Sequence, residues 1–70
     1  MIPAAELDTA ARAGQVEFTR ANARPVRCSS EPCRRLCAAG AARRIFLDGH
    51  PRGFVCAPCQ WACLDTVRRG

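Results

Sequence analysis

The sequence has no lysine and no tyrosine, one histidine and one tryptophan. A lone histidine, with no glycine-rich phosphate loop and no carboxylate pair at a workable spacing, leaves nothing from which to assemble an acid–base or nucleophilic site, so an enzyme is not expected. No stretch approaches the roughly 20 apolar residues of a membrane-spanning helix, so no membrane partner is expected. The opening segment MIPAAELDTAARAG has neither a basic start nor a continuous apolar run, which reads against a secretory signal. Large aromatic area is confined to Phe18, Phe46, Phe54 and Trp61, and alanine is the commonest of the remaining apolar residues. A chain of 70 residues with so little bulk has a thin core and calls for a staple beyond it.

The staple is sulfur. Six cysteines stand at positions 28, 33, 37, 56, 59 and 63. With no secretory leader in view, the expected compartment is the cytoplasm, where the same residues that form disulfides in oxidising spaces serve as metal ligands. The net charge of +5 is carried entirely by arginine and lies in the cysteine-rich part, since residues 1–23 hold Glu6, Asp8 and Glu17 against Arg12 and Arg20. Such a basic surface suits solvation, a polyanion or an acidic protein face.

Pro3 followed by an alanine-rich run predicts a helix from Ala4 to about Ala23, weakened at Gly14 and ended by Arg24-Pro25. The run ARRIFL, the turn residues DGHP and the run RGFV predict a hairpin with a loop longer than two residues. Cys56-Ala57-Pro58-Cys59 then opens a short final helix that closes at Gly70. The fold class expected is a small α+β zinc finger of treble-clef type: N-terminal helix (1–24), then a four-cysteine finger (25–70) with knuckle, hairpin and C-terminal helix.

One structural Zn2+ needs four soft ligands in a tetrahedron, supplied by two short chelating loops. Cys56-x-x-Cys59 at a strand-to-helix junction is one half, and the unpaired N–H groups of the helix's first turn favour thiolate there. For the other half Cys28 and Cys33 are preferred, with Cys37 the substitute for either. Cys63, four residues beyond Cys59, reads as core packing, and His50 as a solvated turn residue. An iron–sulfur cluster would use the same ligands, and the paired Cx3C spacings of Cys33/Cys37 and Cys59/Cys63 mimic small disulfide-linked helical hairpins, against which the strand signals between them speak.

The stretches AARRIF and FVCAPCQ resemble the carboxy-terminal finger of the TraR/DksA family, and the short length and acidic-to-basic polarity are similar to its phage- and plasmid-borne members. The resemblance implies a transcription regulator that enters the secondary channel of RNA polymerase without touching DNA. It implies that Asp8 and Ala10, in Asp8-Thr9-Ala10, form a D-x-A tip directed at the polymerase active site, and that Arg43 and Arg44 meet polymerase near the channel mouth. The chain departs from the family in its C-x4-C first knuckle, its longer loop between Phe46 and Cys56, and its shorter stretch from Asp8 to Cys28. At about 1.5 Å per helical residue, that shortening reduces the reach of the tip. A monomer is expected. The alternatives carried alongside are a nucleic-acid-binding finger, motivated by the arginines after residue 23, and a zinc-finger protein-interaction adaptor.

Overall fold

The computed structural model describes residues 1–69, so Gly70, expected to close the final helix, lies outside the described residues. The chain is α+β: α1 (Ala4–Arg12), β1 (Val16–Ala21), β2 (Val26–Arg27), β3 (Leu36–Cys37), β4 (Ala42–Leu47), β5 (His50–Cys56) and α2 (Ala57–Arg69). Strands β1, β4 and β5 form an antiparallel sheet with β4 in the centre, and β2 and β3 form a separate two-stranded ribbon.

The helix expected to run from Ala4 to Ala23 is corrected: it stops at Arg12. Gly14 adopts a left-handed φ of 70°. Its N–H bonds to the Ala11 carbonyl while that of Gln15 reaches back to Ala10, the paired bonds of a glycine-terminated helix end. Beyond it, Val16 and Phe18 are half-buried and Glu17 and Thr19 exposed, the alternation of a strand with one face inward. Segment 16–21 is therefore an edge strand of the main sheet, with Val16 opposite Leu47 and Phe18 opposite Ile45. Within residues 1–24 the helix is thus a minor part.

The expected β4–β5 hairpin is present, but its loop is shorter than the sequence suggests. Only Asp48 and Gly49 lie between the strands, with φ of 52° and 79°. Positive φ at both central residues is the turn whose twist matches a two-residue hairpin. His50 is consequently the first residue of β5, opposite Leu47, and not a loop residue.

The core is as thin as the composition implies. Its largest fully buried side chains are Ile2, Ile45, Val55 and Cys28. Ala10, Ala42, Leu47, Cys37 and Cys56 complete the buried cluster, so thiols make up a good part of the interior. Asn22 is the main buried polar group. Its amide NH2 donates to the carbonyls of Arg24 (2.7 Å) and Ala38 (3.0 Å), and its side-chain oxygen accepts from the Ala42 N–H at 2.9 Å. One side chain thereby ties the segment after β1 to both ends of the β3–β4 connection, with its donors matched to carbonyls and its acceptor to an N–H.

Candidate metal centre

Cys56 ends β5 and Cys59 occupies the first turn of α2, so the second half-site is carried by two regular elements that meet without a linker. Cys28 follows β2 directly, and Cys33 precedes β3. The ribbon closes around them through a bond from the Cys28 N–H to the Arg35 carbonyl at 2.8 Å. The turn itself is set by the N–H groups of Cys33 and Arg34, both of which bond to the Ser30 carbonyl. Arg34 takes a left-handed φ of 54°, uncommon for a residue with a side chain, and so sends the chain back into β3.

Two contacts seat this loop against the rest of the molecule. The Ser29 N–H donates to the Phe54 carbonyl at 2.7 Å, and the Phe54 N–H donates to the Ser29 hydroxyl at 3.2 Å. Gly53, at φ 96°, makes the approach possible, because a Cβ there would collide with the Ser29 hydroxyl and sit 3.2 Å from its Cβ. On the other side the chain's own start acts as a strap. The Ile2 N–H bonds to the Ser29 carbonyl (2.7 Å), the Glu31 N–H bonds to the Ile2 carbonyl (2.9 Å), and the Ile2 side chain is buried.

The four sulfurs of Cys28, Cys33, Cys56 and Cys59 all lie within 4.8 Å of one another. Cys28 Sγ is 3.7 Å from Cys59 Sγ, and Cys33 Sγ is 3.7 Å from Cys56 Sγ. Both short distances join one half-site to the other. A single ion with metal–sulfur bonds of about 2.3 Å has a tetrahedral edge of about 3.8 Å, so these separations suit one ion held by all four. The Cys56 N–H points at Cys28 Sγ at 3.5 Å, the kind of donor that stabilises negative sulfur.

The thiols of the group differ in their surroundings. Burial raises the thiol pKa of Cys28, and burial together with the neighbouring thiols raises that of Cys59. The Arg35 backbone N–H instead lowers that of Cys33. Thiolates this close repel one another, and a positive ion among the four sulfurs would supply the balancing charge. Four thiolates around one ion would fill a tetrahedron and leave no open position.

Cys37 and Cys63 are outside the group. Cys37, the substitute considered for either loop ligand, is buried in β3 opposite Val26, with its thiol 3.6 Å from the Arg35 carbonyl. Cys63 is buried on the inner face of α2, beside Leu7, Ala11 and Thr66 in the cleft between the helices. Burial, then the charge of Asp8, keeps its thiol protonated.

The residues singled out by the family resemblance are dispersed. Asp8 lies in the middle of a nine-residue helix packed on α2, and its carboxylate accepts from Arg12 Nε at 2.8 Å. Ala10 is buried on the inner side of α1, whereas Asp8 is exposed. Arg43 is exposed on β4; Arg44 is half-buried, its guanidinium 5.5 Å from the Phe46 ring centre and its Nε without a hydrogen-bond partner.

Fold and site together define a small α+β chain with a four-cysteine centre placed to hold a metal ion. No family model, curated protein or solved structure matches it. Among the described residues, no helix is long and apolar enough to cross a membrane.

Proposed function

We propose that the chain is a non-enzymatic binding module whose fold is completed by one structural Zn2+, and that it regulates transcription by docking at the secondary channel of RNA polymerase without contacting DNA. The observation that carries the metal reading is the set of four sulfurs within 4.8 Å of one another. Iron–sulfur clusters distribute their cysteines over several irons and need them further apart, whereas this spacing favours a single ion. The succession of loop half-site, β4–β5 hairpin and helix-borne half-site supports a treble-clef-type finger.

The polymerase reading rests on the resemblance of AARRIF and FVCAPCQ to a polymerase-binding finger. The short α1 alters its expected form: with Ala10 buried and Asp8 paired to Arg12, contact falls to the finger's arginines, Arg43 foremost, and no helix reaches the active site. The test is co-purification with RNA polymerase and a transcription assay on the zinc-loaded protein. Arg43→Glu is expected to weaken both, and Asp8→Asn to leave binding intact. Tight binding to duplex DNA without polymerase, collapsing steeply with salt, would overturn the reading. It would favour the second one, a nucleic-acid-binding finger, which is motivated by the exposed Arg27, Arg34 and Arg35 on the β2–β3 ribbon, none of them in an ion pair among the described residues. Metal analysis separates zinc from iron: one zinc and a colourless protein are expected.

A further inference from the structure

The chain's only tryptophan is its most exposed large apolar side chain, at 68%. Trp61 stands on α2, where Leu64 and Arg68 lie at i+3 and i+7 and therefore share its stripe. The opposite stripe carries Cys59, held in the metal centre, and Cys63, buried against α1. The outer stripe is consequently turned away from the molecule: Leu64 is half-buried, Val67 beside it is 37% exposed, and Arg68 is exposed. Asp65, the acid nearest to this stripe, is taken by Arg69 at 3.0 Å, and Arg68 has no carboxylate partner among the described residues. In a protein so short of large apolar groups, a surface tryptophan next to an aliphatic residue and an unpaired arginine has the composition of an interface centre.

We infer that this outer face of α2 docks an acidic amphipathic segment of another protein, which sets an aliphatic side chain against Trp61 and Leu64 and a carboxylate against Arg68. Charge decides the occupant. The chain carries +5, so a second copy would set two molecules of like net charge against each other. A nucleic-acid backbone would find one unpaired arginine here, beside the acidic Asp65, whereas Arg27, Arg34 and Arg35 cluster on the β2–β3 ribbon. A guanidinium next to an apolar anchor matches a carboxylate beside an aliphatic group. Because Trp61 lies two residues beyond Cys59, the metal centre fixes the direction in which the stripe faces. The inference goes beyond the polymerase reading and stands whether or not polymerase is the partner.

The single indole makes its own reporter. The zinc-loaded protein would be titrated with a 20-residue helical peptide of leucine, alanine and glutamate, leucines at helical spacing, and with the same peptide carrying glutamine for glutamate. Expected are a saturable blue shift of tryptophan emission that weakens with salt, and binding at least tenfold poorer for the glutamine peptide. By anisotropy of labelled peptide, Trp61→Ala and, separately, Arg68→Glu should each weaken binding about tenfold or more, with metal content and circular dichroism unchanged. Arg68 is exposed, so its substitution tests the surface even if Trp61→Ala disturbs the helix. No saturable shift, equal binding of the glutamine peptide, or indifference to Arg68→Glu overturns the inference. So does a blue shift that appears with protein concentration alone, which makes the occupant a second copy, or one produced equally by a 20-nucleotide oligo(dT), which makes it nucleic acid.

Discussion

Cys56 and Cys59 sit where a seven-residue strand runs directly into a thirteen-residue helix, whereas Cys28 and Cys33 sit in a loop closed by two strands of two residues each. Backbone ladders position the first pair before any ligand arrives. The second pair depends on what is brought to it, the Ser29–Phe54 bonds and the Ile2 strap. One region is built by secondary structure and lends its geometry to the metal. The other is set by turn and seam hydrogen bonds, which an ion bound at the four sulfurs would reinforce.

Removing the metal should have the largest effect. Structural zinc contributes about 10–16 kcal/mol in isolated finger peptides, more than the roughly 4–10 kcal/mol expected for the whole stability of a chain this size. Chelation in reductant is therefore expected to abolish the cooperative thermal transition. Hydrogen exchange should show amides 29–35 opening before those of β4 and β5. A sharp melt that survives exhaustive chelation would mean that no ion reinforces the loop. Acid should mimic chelation, because protons compete for the thiolates: metal release monitored with a zinc dye is expected to rise as pH falls.

Core truncations come next. Ile45→Ala, in the central strand and fully buried, should cost about 2–5 kcal/mol in denaturant melts. Ile2→Ala removes a comparably buried side chain from the strap, and it should in addition speed metal transfer to a chelator, which Ile45→Ala should leave nearly unchanged. Equal effects on metal transfer would erase the distinction between the two regions.

At the seam, Gly53→Ala combines an unfavourable backbone angle with a collision, and is expected to cost more than about 1 kcal/mol. Combining it with Ser29→Ala should restore part of the loss, since the hydroxyl is the nearer obstacle. Strict additivity of the two changes would show that the loop does not rest on β5.

The smallest effect belongs to the Glu6–Arg52 pair, which ties α1 to β5 at the surface. Its hydrogen bonds from Arg52 hold the Glu6 carboxyl below the usual range. A depressed carboxyl stabilises the fold above its unfolded-state pKa and loses that contribution as pH falls through the lowered folded-state value. Glu6→Gln should therefore slightly flatten the acid side of a melting-temperature profile at low salt, and the difference should vanish at high salt.

The sequence is informative where chemistry is local. Cys56-x-x-Cys59 can be placed because a strand pattern runs into a proline that starts a helix, and the hairpin is legible in two β-rich runs around Asp48-Gly49. Loop chemistry favours Cys28 and Cys33 over Cys37, and it is these two that meet Cys56 and Cys59. The strand β1 reads as helix because its neighbourhood is rich in alanine. Gly14 is the signal for the helix end, and the alternation of Val16 and Phe18 with Glu17 is the signal for the strand after it. Ile2, Ser29, Asn22 and Gly53 carry no local signature at all. Their roles exist only between segments distant in the chain, which spacing within one segment does not encode.

The strap also sets how widely the contacts of the loop are spread along the chain. The carbonyl and N–H that Ile2 grips belong to Ser29 and Glu31, and the sulfurs that meet at that loop include those of Cys56 and Cys59, so three distant stretches of chain converge there. Seating Ile2 is therefore a long-range event, and the loop-closure entropy it costs must be offset by contacts formed across the chain.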